Sequence, residues 1–322
     1  MISAPDFKEK QILFVQSERG SENRIKFNND NLVFLKDNVI VNQLSCHKIF
    51  AVFIAGDISI TSVLIEKCVK YGISLCLLKS NLELYAEIAS RAEGNYLLRN
   101  KQYKNSPEGE LDLAKCVVKN KINNQLALLR MEKKADEAIE VAVKGAVAKT
   151  EATNDGQELL GIEGNMTKTF FRLYFSELGW QRRMPRTKFD PYNVLLDIGY
   201  TFIFNYVDAL LRLHGFDTYK GFYHKLFFQR KSLTCDIVEP FRCIIDRQLL
   251  KSFNLKQISE KDFKIMSGRY VLEYSKSQKY AEIFLGAITD RKEEIFSYVK
   301  DFYRHIMNKE RKHVDFSYKI AD

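Results

Sequence analysis

The chain has 322 residues, 46% of them hydrophobic and 28% charged, with a formal net charge of +9 and a pI near 9.0. That length and apolar content allow two domains with buried cores and exclude a disordered chain. The positive excess favours a polyanionic partner, either nucleic acid or an anionic membrane surface.

The N-terminal MISAPDFKEKQ lacks the apolar core of a signal peptide. The most apolar runs, such as IFAVFIAGD, read as far shorter than the roughly 20 residues a spanning helix needs. A cytoplasmic protein without a membrane partner is expected. Six cysteines, Cys46, Cys68, Cys76, Cys116, Cys235 and Cys243, are scattered without a CxxC pair, and four lie in apolar runs suited to reduced core thiols. Neither a zinc ribbon nor a disulfide framework follows from them.

From about residue 10 to 88 the chain reads as short strands: QILFVQ, RIKFNN, LVFLKD, VIVNQL, KIFAVFIAG, ISLCLLK and LELYAEI. Gly20, the Asn28 to Asn31 cluster, Asp37-Asn38 and Gly56-Asp57 separate them, as hairpin-type connections would. One helix is expected over 59–71, where Ile60, Val63, Leu64, Cys68 and Val69 recur at helical spacing and Gly72 stops it. Beyond about residue 95 the period becomes 3.6. Leu111 to Val147 reads as a helical pair or one interrupted helix, and Lys168 to Leu178 as a helix with Phe171, Tyr174 and Phe175 on one stripe. Asp190 caps and Pro191 opens another that runs to Gly215, and the last two are placed near 268–288 and 290–310, ending in NKERKH. The fold class is α+β: a small N-terminal β-sheet domain, sandwich-like, over 1–90, then a larger all-α-helical domain over 91–322.

His224, Asp236 and Glu239, within HKLFFQRKSLTCDIVEPFR, place one imidazole and two carboxylates within reach of a single metal ion. Oxygen-rich ligation with one histidine suits Mg²⁺ or Mn²⁺ better than a structural zinc. Pro240 biases Glu239 toward an extended conformation at the N-terminus of a helix over 240–251, whose dipole would add positive potential. Asp236 is open as a second ligand, a partner orienting a ligand, or a helix cap. The bland alternative for His224 is a ring lodged among aromatics and bonded to backbone. Glu163, between Gly161 and Gly164 at the mouth of an apolar helix, is the candidate third ligand; its bland role is a first-turn charge favouring the dipole. Arg182, Arg183, Arg186 and Lys188 crowd the loop before the Asp190 cap and suit phosphate contact.

With LLGIEGNMTKTFFRLYF, RMPRTKFDPYNVLLDIGYTFIF, GFYHKLFF and DIVEPFR in this order, the chain resembles the CRISPR-associated integrase family, the catalytic subunit of spacer acquisition. The resemblance spans about residues 30–300 and is specific in the helical region. It implies an N-terminal β domain used in dimerisation and a helical catalytic domain holding one divalent ion, Mg²⁺ or Mn²⁺, by Glu163, His224 and Glu239. Asp236 matches the family's nearby aspartate; Arg186, Asn193, Tyr200 and Arg242 match motif positions near the site. Glu239 stands where many relatives have Asp. Tyr174 reads as packing. The implied reaction joins the 3′-hydroxyl of a spacer DNA fragment to a CRISPR repeat boundary. Implied partners are double-stranded DNA, a second copy of the chain, a dimer of the small second CRISPR adaptation protein and a helper exonuclease. A repair nuclease or branched-DNA resolvase would use the same ligands with water as nucleophile, and a DNA-binding scaffold would use none of them catalytically.

Overall fold

The computed structural model describes residues 4–18, 20–88, 95–180, 182–224, 227–308 and 316–320. After a short helix α1 (Ala4–Lys8), the expected strands all form: β1 (Gln11–Gln16), β2 (Asn23–Asn28), β3 (Asn31–Lys36), β4 (Val39–Ser45), β5 (Ile49–Ala55), β7 (Ser74–Leu78) and β8 (Leu84–Ile88). Of the four connections expected to be hairpins, two are. Asn29 and Asp30 (φ 46° and 58°) join β2 to β3, and Asp37 and Asn38 (φ 49° and 64°) join β3 to β4; positive φ at both central positions matches the strand twist. At Gly20 and Gly56 the chain instead passes between two sheets, ordered β1-β5-β7-β8 and β4-β3-β2-β6, where β6 is Ser59–Ile60. Strands β1, β5 and β7 run parallel. Turn residues specify a local reversal, not the sheet the next strand joins.

The helix expected over 59–71 is α2 (Ser62–Tyr71): Ser59 and Ile60 pair with β2, and Thr61 Oγ1 caps by accepting from Leu64 N at 3.2 Å. Side chains of β5 alternate between two cores. Ile49, Val52 and Ile54 meet Ile25, Leu32 and Phe34 of the other sheet and Leu64 of α2. Ala51, Phe53 and Ala55 face the helices, where the Phe53 ring packs edge-on at 5.2 Å from Phe202. A buried ring of that size contributes about 1.5–3 kcal/mol, so sheet and helices stabilise one another across residue 90. Tyr274 Oη donates to the Ser17 and Ala55 carbonyls at 2.8 and 3.1 Å. A Cβ on Gly56 would lie 2.1 Å from that hydroxyl, so only glycine fits there.

The helical region comprises α3 (Tyr96–Tyr103), α4 (Pro107–Met131), α5 (Glu137–Ala152), α6 (Gly156–Tyr174), α7 (Pro191–His214), α8 (Ser232–Val238), α9 (Arg242–Asn254), α10 (Ser277–Thr289) and α11 (Lys292–Met307). The α7 signals hold: Asp190 Oδ1 accepts from Asn193 N at 2.7 Å, and Gly215 ends the helix at φ 93°. Contrary to the hydropathy expectation, α7 is by length and composition apolar enough to cross a membrane. Its most apolar window is 83% buried against the rest of the fold, which makes it a core helix. Residues 268–273 are not helical, Tyr274–Lys276 is a 3-10 turn, and the α-helix starts only at Ser277. Phe263–Met266 (β9) and Arg269–Leu272 (β10) form a hairpin turning on Ser267 and Gly268, a Ser-Gly turn signal masked along the chain by the surrounding helical pattern. The basic stretch after Asn308 lies outside the described residues. None of the six cysteines is in a disulfide among the described residues, and four of them are buried.

A candidate active site where three helices meet

Helix α4 supplies Lys121, α6 supplies Glu163, and the 3-10 turn between α8 and α9 supplies Glu239. Two placements differ from the sequence-based expectation. Glu163 is not a first-turn residue: α6 starts at Gly156, capped by Asp155 Oδ1 accepting from Gln157 N at 2.9 Å, so Glu163 stands in the helix interior. The apolar stripe that suggested a later start is only the buried half of a longer helix. A Cβ on Gly161 or Gly164 would meet nothing within 4 Å, so internal packing does not require either glycine. Glu239 is helical (φ −54°, ψ −46°) rather than extended, and α8, Glu239–Phe241 and α9 form one nearly continuous run. Tertiary packing overrides the pre-proline bias. Phe241 is fully buried against Tyr298 and Tyr318, and Asn124 Nδ2 donates to the Pro240 carbonyl at 3.2 Å. The free helix N-terminus expected beside Glu239 therefore does not exist, and positive potential comes from side chains.

Those side chains are Lys121 and Arg242. Lys121 Nζ donates to Glu239 Oε2 at 2.7 Å and also to Glu163 Oε1, while Arg242 Nε donates to Glu239 Oε1 at 3.0 Å. Thr167 Oγ1 donates to Glu163 Oε1 at 3.1 Å and accepts from Gln125 Nε2 at 3.2 Å. Only 9% of the Lys121 side chain and 7% of the Glu239 side chain is exposed, so neither charge could stand alone. Burial pushes the Glu239 carboxyl up, but Arg242 and Lys121 outweigh it and hold it near 2. For Lys121 burial lowers the pKa, and the Glu239 and Glu163 carboxylates outweigh that, so the ammonium is raised above its ordinary value.

His224 is fixed from the other side. Asp236, fully buried on α8, accepts from Phe222 N (2.7 Å) and Tyr223 N (3.0 Å) through Oδ2, and from His224 N (2.8 Å) and Nδ1 (2.7 Å) through Oδ1. Asp236 thus wraps the preceding loop rather than capping a helix, and the imidazole bonds a carboxylate rather than backbone. A Cβ on Gly221 would sit 2.6 Å from Asp236 Oδ2, so glycine is what lets the loop close over it. With Nδ1 donating, Nε2 keeps its lone pair. An imidazolium at His224 would add to the groups that hold the Glu239 carboxyl down. Tyr223 buries a hydroxyl that has no hydrogen-bond partner among the described residues, and burial together with Glu163, Glu239 and Asp236 raises its pKa.

Among the described residues, no three His, Cys, Asp or Glu side chains stand assembled as a metal cage. What the fold does assemble is two carboxylates from distant helices on one cationic point, with an oriented imidazole close by. Hard oxygen donors with a neutral imidazole fit Mg²⁺ or Mn²⁺ in chemistry, and the point where they converge carries the ammonium of Lys121.

Sequence reasoning missed Lys121. Its signal was present in NKINNQ: Asn120, Lys121, Asn124 and Gln125 recur at helical spacing and are all buried. A polar stripe on a buried helix face marks a polar site. Asn120 and Asn124 use that stripe to hold the extended segment 316–320: Asn120 Nδ2 donates to the Tyr318 carbonyl at 2.6 Å, and Asn124 Oδ1 accepts from Ile320 N at 3.0 Å.

A cavity of about 1290 Å³ opens beside the site, and Lys121, Glu239, Arg242, Arg186 and Lys188 are among the residues that line it. The basic loop is built, not loose. Asn193, fully buried, accepts from Arg183 Nη1 and Met184 N at 2.8 Å each and donates to the Arg182 carbonyl at 3.1 Å. Arg183 also pairs with Asp197, whose second oxygen accepts from Arg186 N at 2.9 Å. Arg183 is therefore internally committed, while Arg182 is exposed away from the cavity. The guanidinium groups of Arg183 and Arg242 lie 5.3 and 4.8 Å from the centre of the Tyr200 ring, whose hydroxyl donates to Asp246 Oδ1 at 2.5 Å. Burial pushes Asp246 up to about 7. Tyr174, expected to pack, is 1% exposed and stacks on Phe170.

The CRISPR associated protein Cas1 family matches residues 18–285. Over 226 residues the chain is 34% identical to CRISPR-associated endonuclease Cas1 1 of Thermodesulfovibrio yellowstonii, covering 66% of this chain and 71% of that one. In fold it is similar to a casposase bound to integration product, with a TM-score of 0.81 at 19% identity over 97% of this chain and 95% of that one. It is also similar to a chain of a Cas6-RT-Cas1–Cas2 complex, with a TM-score of 0.77 at 21% identity over 98% of this chain and 36% of the larger one.

Proposed function

Because the chain belongs to the CRISPR-associated Cas1 family, whose function is CRISPR adaptation, we propose that Glu163, His224 and Glu239 hold one divalent cation, Mg²⁺ or Mn²⁺, at which a spacer fragment is joined to the repeat boundary. The observation that carries this reading is the convergence of Glu163 and Glu239 on one buried cationic point beside an imidazole oriented by Asp236. The 3′-oxygen of the fragment attacks the repeat phosphorus, a new P–O bond forms, and the bond to the opposite 3′-oxygen breaks, with the proton passing to the departing oxygen. A divalent cation bound there supplies stabilisation of the charge building on the phosphate and acidifies the attacking hydroxyl. Asp236 keeps the His224 ring in one tautomer, Arg242 holds the Glu239 carboxylate ionised, and the cavity wall at Arg186 and Lys188 takes the DNA backbone.

Offering 3′-hydroxyl and 3′-blocked duplexes to a repeat-containing plasmid tests the reaction: joining is expected only with the free hydroxyl, and equal joining with both would eliminate it. The resolvase and scaffold alternatives are not favoured by a match to this family.

DNA contact is assigned to Arg186 and Lys188 before Arg182 and Arg183. Replacing both Arg186 and Lys188 by Ala is expected to reduce the log-log salt slope of duplex binding by about 0.9 for each DNA phosphate no longer neutralised. Arg183→Ala is expected to lower Tm instead, since it strands Asp197. An unchanged slope in the double variant would move the DNA path elsewhere.

The proposed assembly is a homodimer bound to DNA and to a dimer of the small second adaptation protein, with a helper exonuclease trimming the fragment. The edge strand β4 supports the homodimer: Val39, Ile40 and Val41 are 65%, 53% and 61% exposed. An exposed apolar edge favours pairing with another copy. Ile40→Lys is expected to shift the protein from dimer to monomer in sedimentation velocity, and a monomeric parent at micromolar concentration would refute the dimer.

A further inference from the structure

Lys121 is held in a way that a simple neutralising role does not require. Its helix is anchored on both sides, through Asn120 and Asn124 to segment 316–320 and through Gln125 to Thr167. The backbone cannot carry Lys121 away from the carboxylates, but its flexible stem borders the open cavity. The ammonium lies between Glu163 Oε1 and Glu239 Oε2, while Glu239 Oε1 is already taken by Arg242. A divalent ion that draws Glu163 Oε1 and Glu239 Oε2, the oxygens facing one another across Lys121, occupies the place the ammonium holds. Leaving both cations there would set three positive charges against two carboxylates in a poorly solvated site, which is unfavourable.

We infer that Lys121 is a displaceable resident counter-ion, so that divalent-cation binding at Glu163 and Glu239 is an exchange in which the ammonium swings into the DNA-facing cavity. This inference rests on the proposed metal reading. Before exchange Lys121 keeps the two carboxylates from repelling one another. After exchange its charge points where a DNA phosphate would lie, so duplex and cation binding reinforce one another.

The test is Mn²⁺ binding to the intact chain, followed by the electron paramagnetic resonance of free Mn²⁺. Lys121→Met, which removes the charge and keeps the stem, is expected to bind Mn²⁺ about tenfold tighter or more, a change of about 1.4 kcal/mol. Lys121→Arg is expected to bind no tighter than the parent. Added duplex is expected to tighten Mn²⁺ binding in the parent and not in Lys121→Met. In the parent protein, amine-reactive labelling of Lys121 read by mass spectrometry is expected to rise at saturating Mn²⁺, and this needs no variant to fold. Equal or weaker binding by Lys121→Met, or labelling that Mn²⁺ does not change, would overturn the exchange while leaving the metal site standing. Absence of Mn²⁺ binding in parent and variants alike would overturn the metal reading itself.

Discussion

Glu239→Gln is expected to lower strand joining by on the order of 10²–10³-fold or more while leaving duplex binding largely intact. The substitution keeps the shape of the side chain and removes the charge on which Lys121 and Arg242 both rest. Breaking one partner of a buried ion pair costs on the order of 3 kcal/mol, so a lower Tm at neutral pH is part of the same expectation. The acid side fixes the sign. The Glu239 carboxyl is depressed to about 2, so its pairing stabilises fully above the ordinary carboxylate range near 4.5 and is lost as pH falls through about 2. The Tm gap between parent and Glu239→Gln should therefore be widest above pH 5 and close toward pH 2. Joining within a few-fold of the parent would place the reacting centre elsewhere.

Substitutions at Asp236 separate folding from orientation. Asp236→Ala strands the backbone N–H groups of Phe222, Tyr223 and His224 together with the His224 ring. Each buried donor left unpaired costs about 1–3 kcal/mol, so this variant is expected to lose both stability and joining. Asp236→Asn retains one oxygen for Phe222 N and Tyr223 N but turns an amide toward His224 N and Nδ1, so it no longer offers a carboxylate to fix the ring tautomer. Removing such a partner typically costs 10–100-fold in activity or metal affinity, and that loss is expected here with Tm changed by only a few degrees. If Asp236→Asn joined DNA at the parental rate with an unchanged pH profile, the orienting role of Asp236 would be wrong.

Much of this protein is determined locally and is legible along the chain. Short apolar runs between turn residues mark β1 to β5, Asp190-Pro191 and Gly215 bound α7, and the GFYH and DIVEPFR blocks point to His224, Asp236 and Glu239, because those signals act over a few neighbouring residues. Tertiary structure decided the rest. It set the parallel order of β1, β5 and β7, since turn chemistry says nothing about which sheet a strand joins. It held Glu239 helical against its proline, because burying Phe241 outweighs a local backbone preference. It committed Arg183 to Asp197, and it brought Lys121 to carboxylates 42 and 118 positions away. A lysine reads as solvated unless its surroundings are known, and only packing creates a buried place where two carboxylates stabilise its charge.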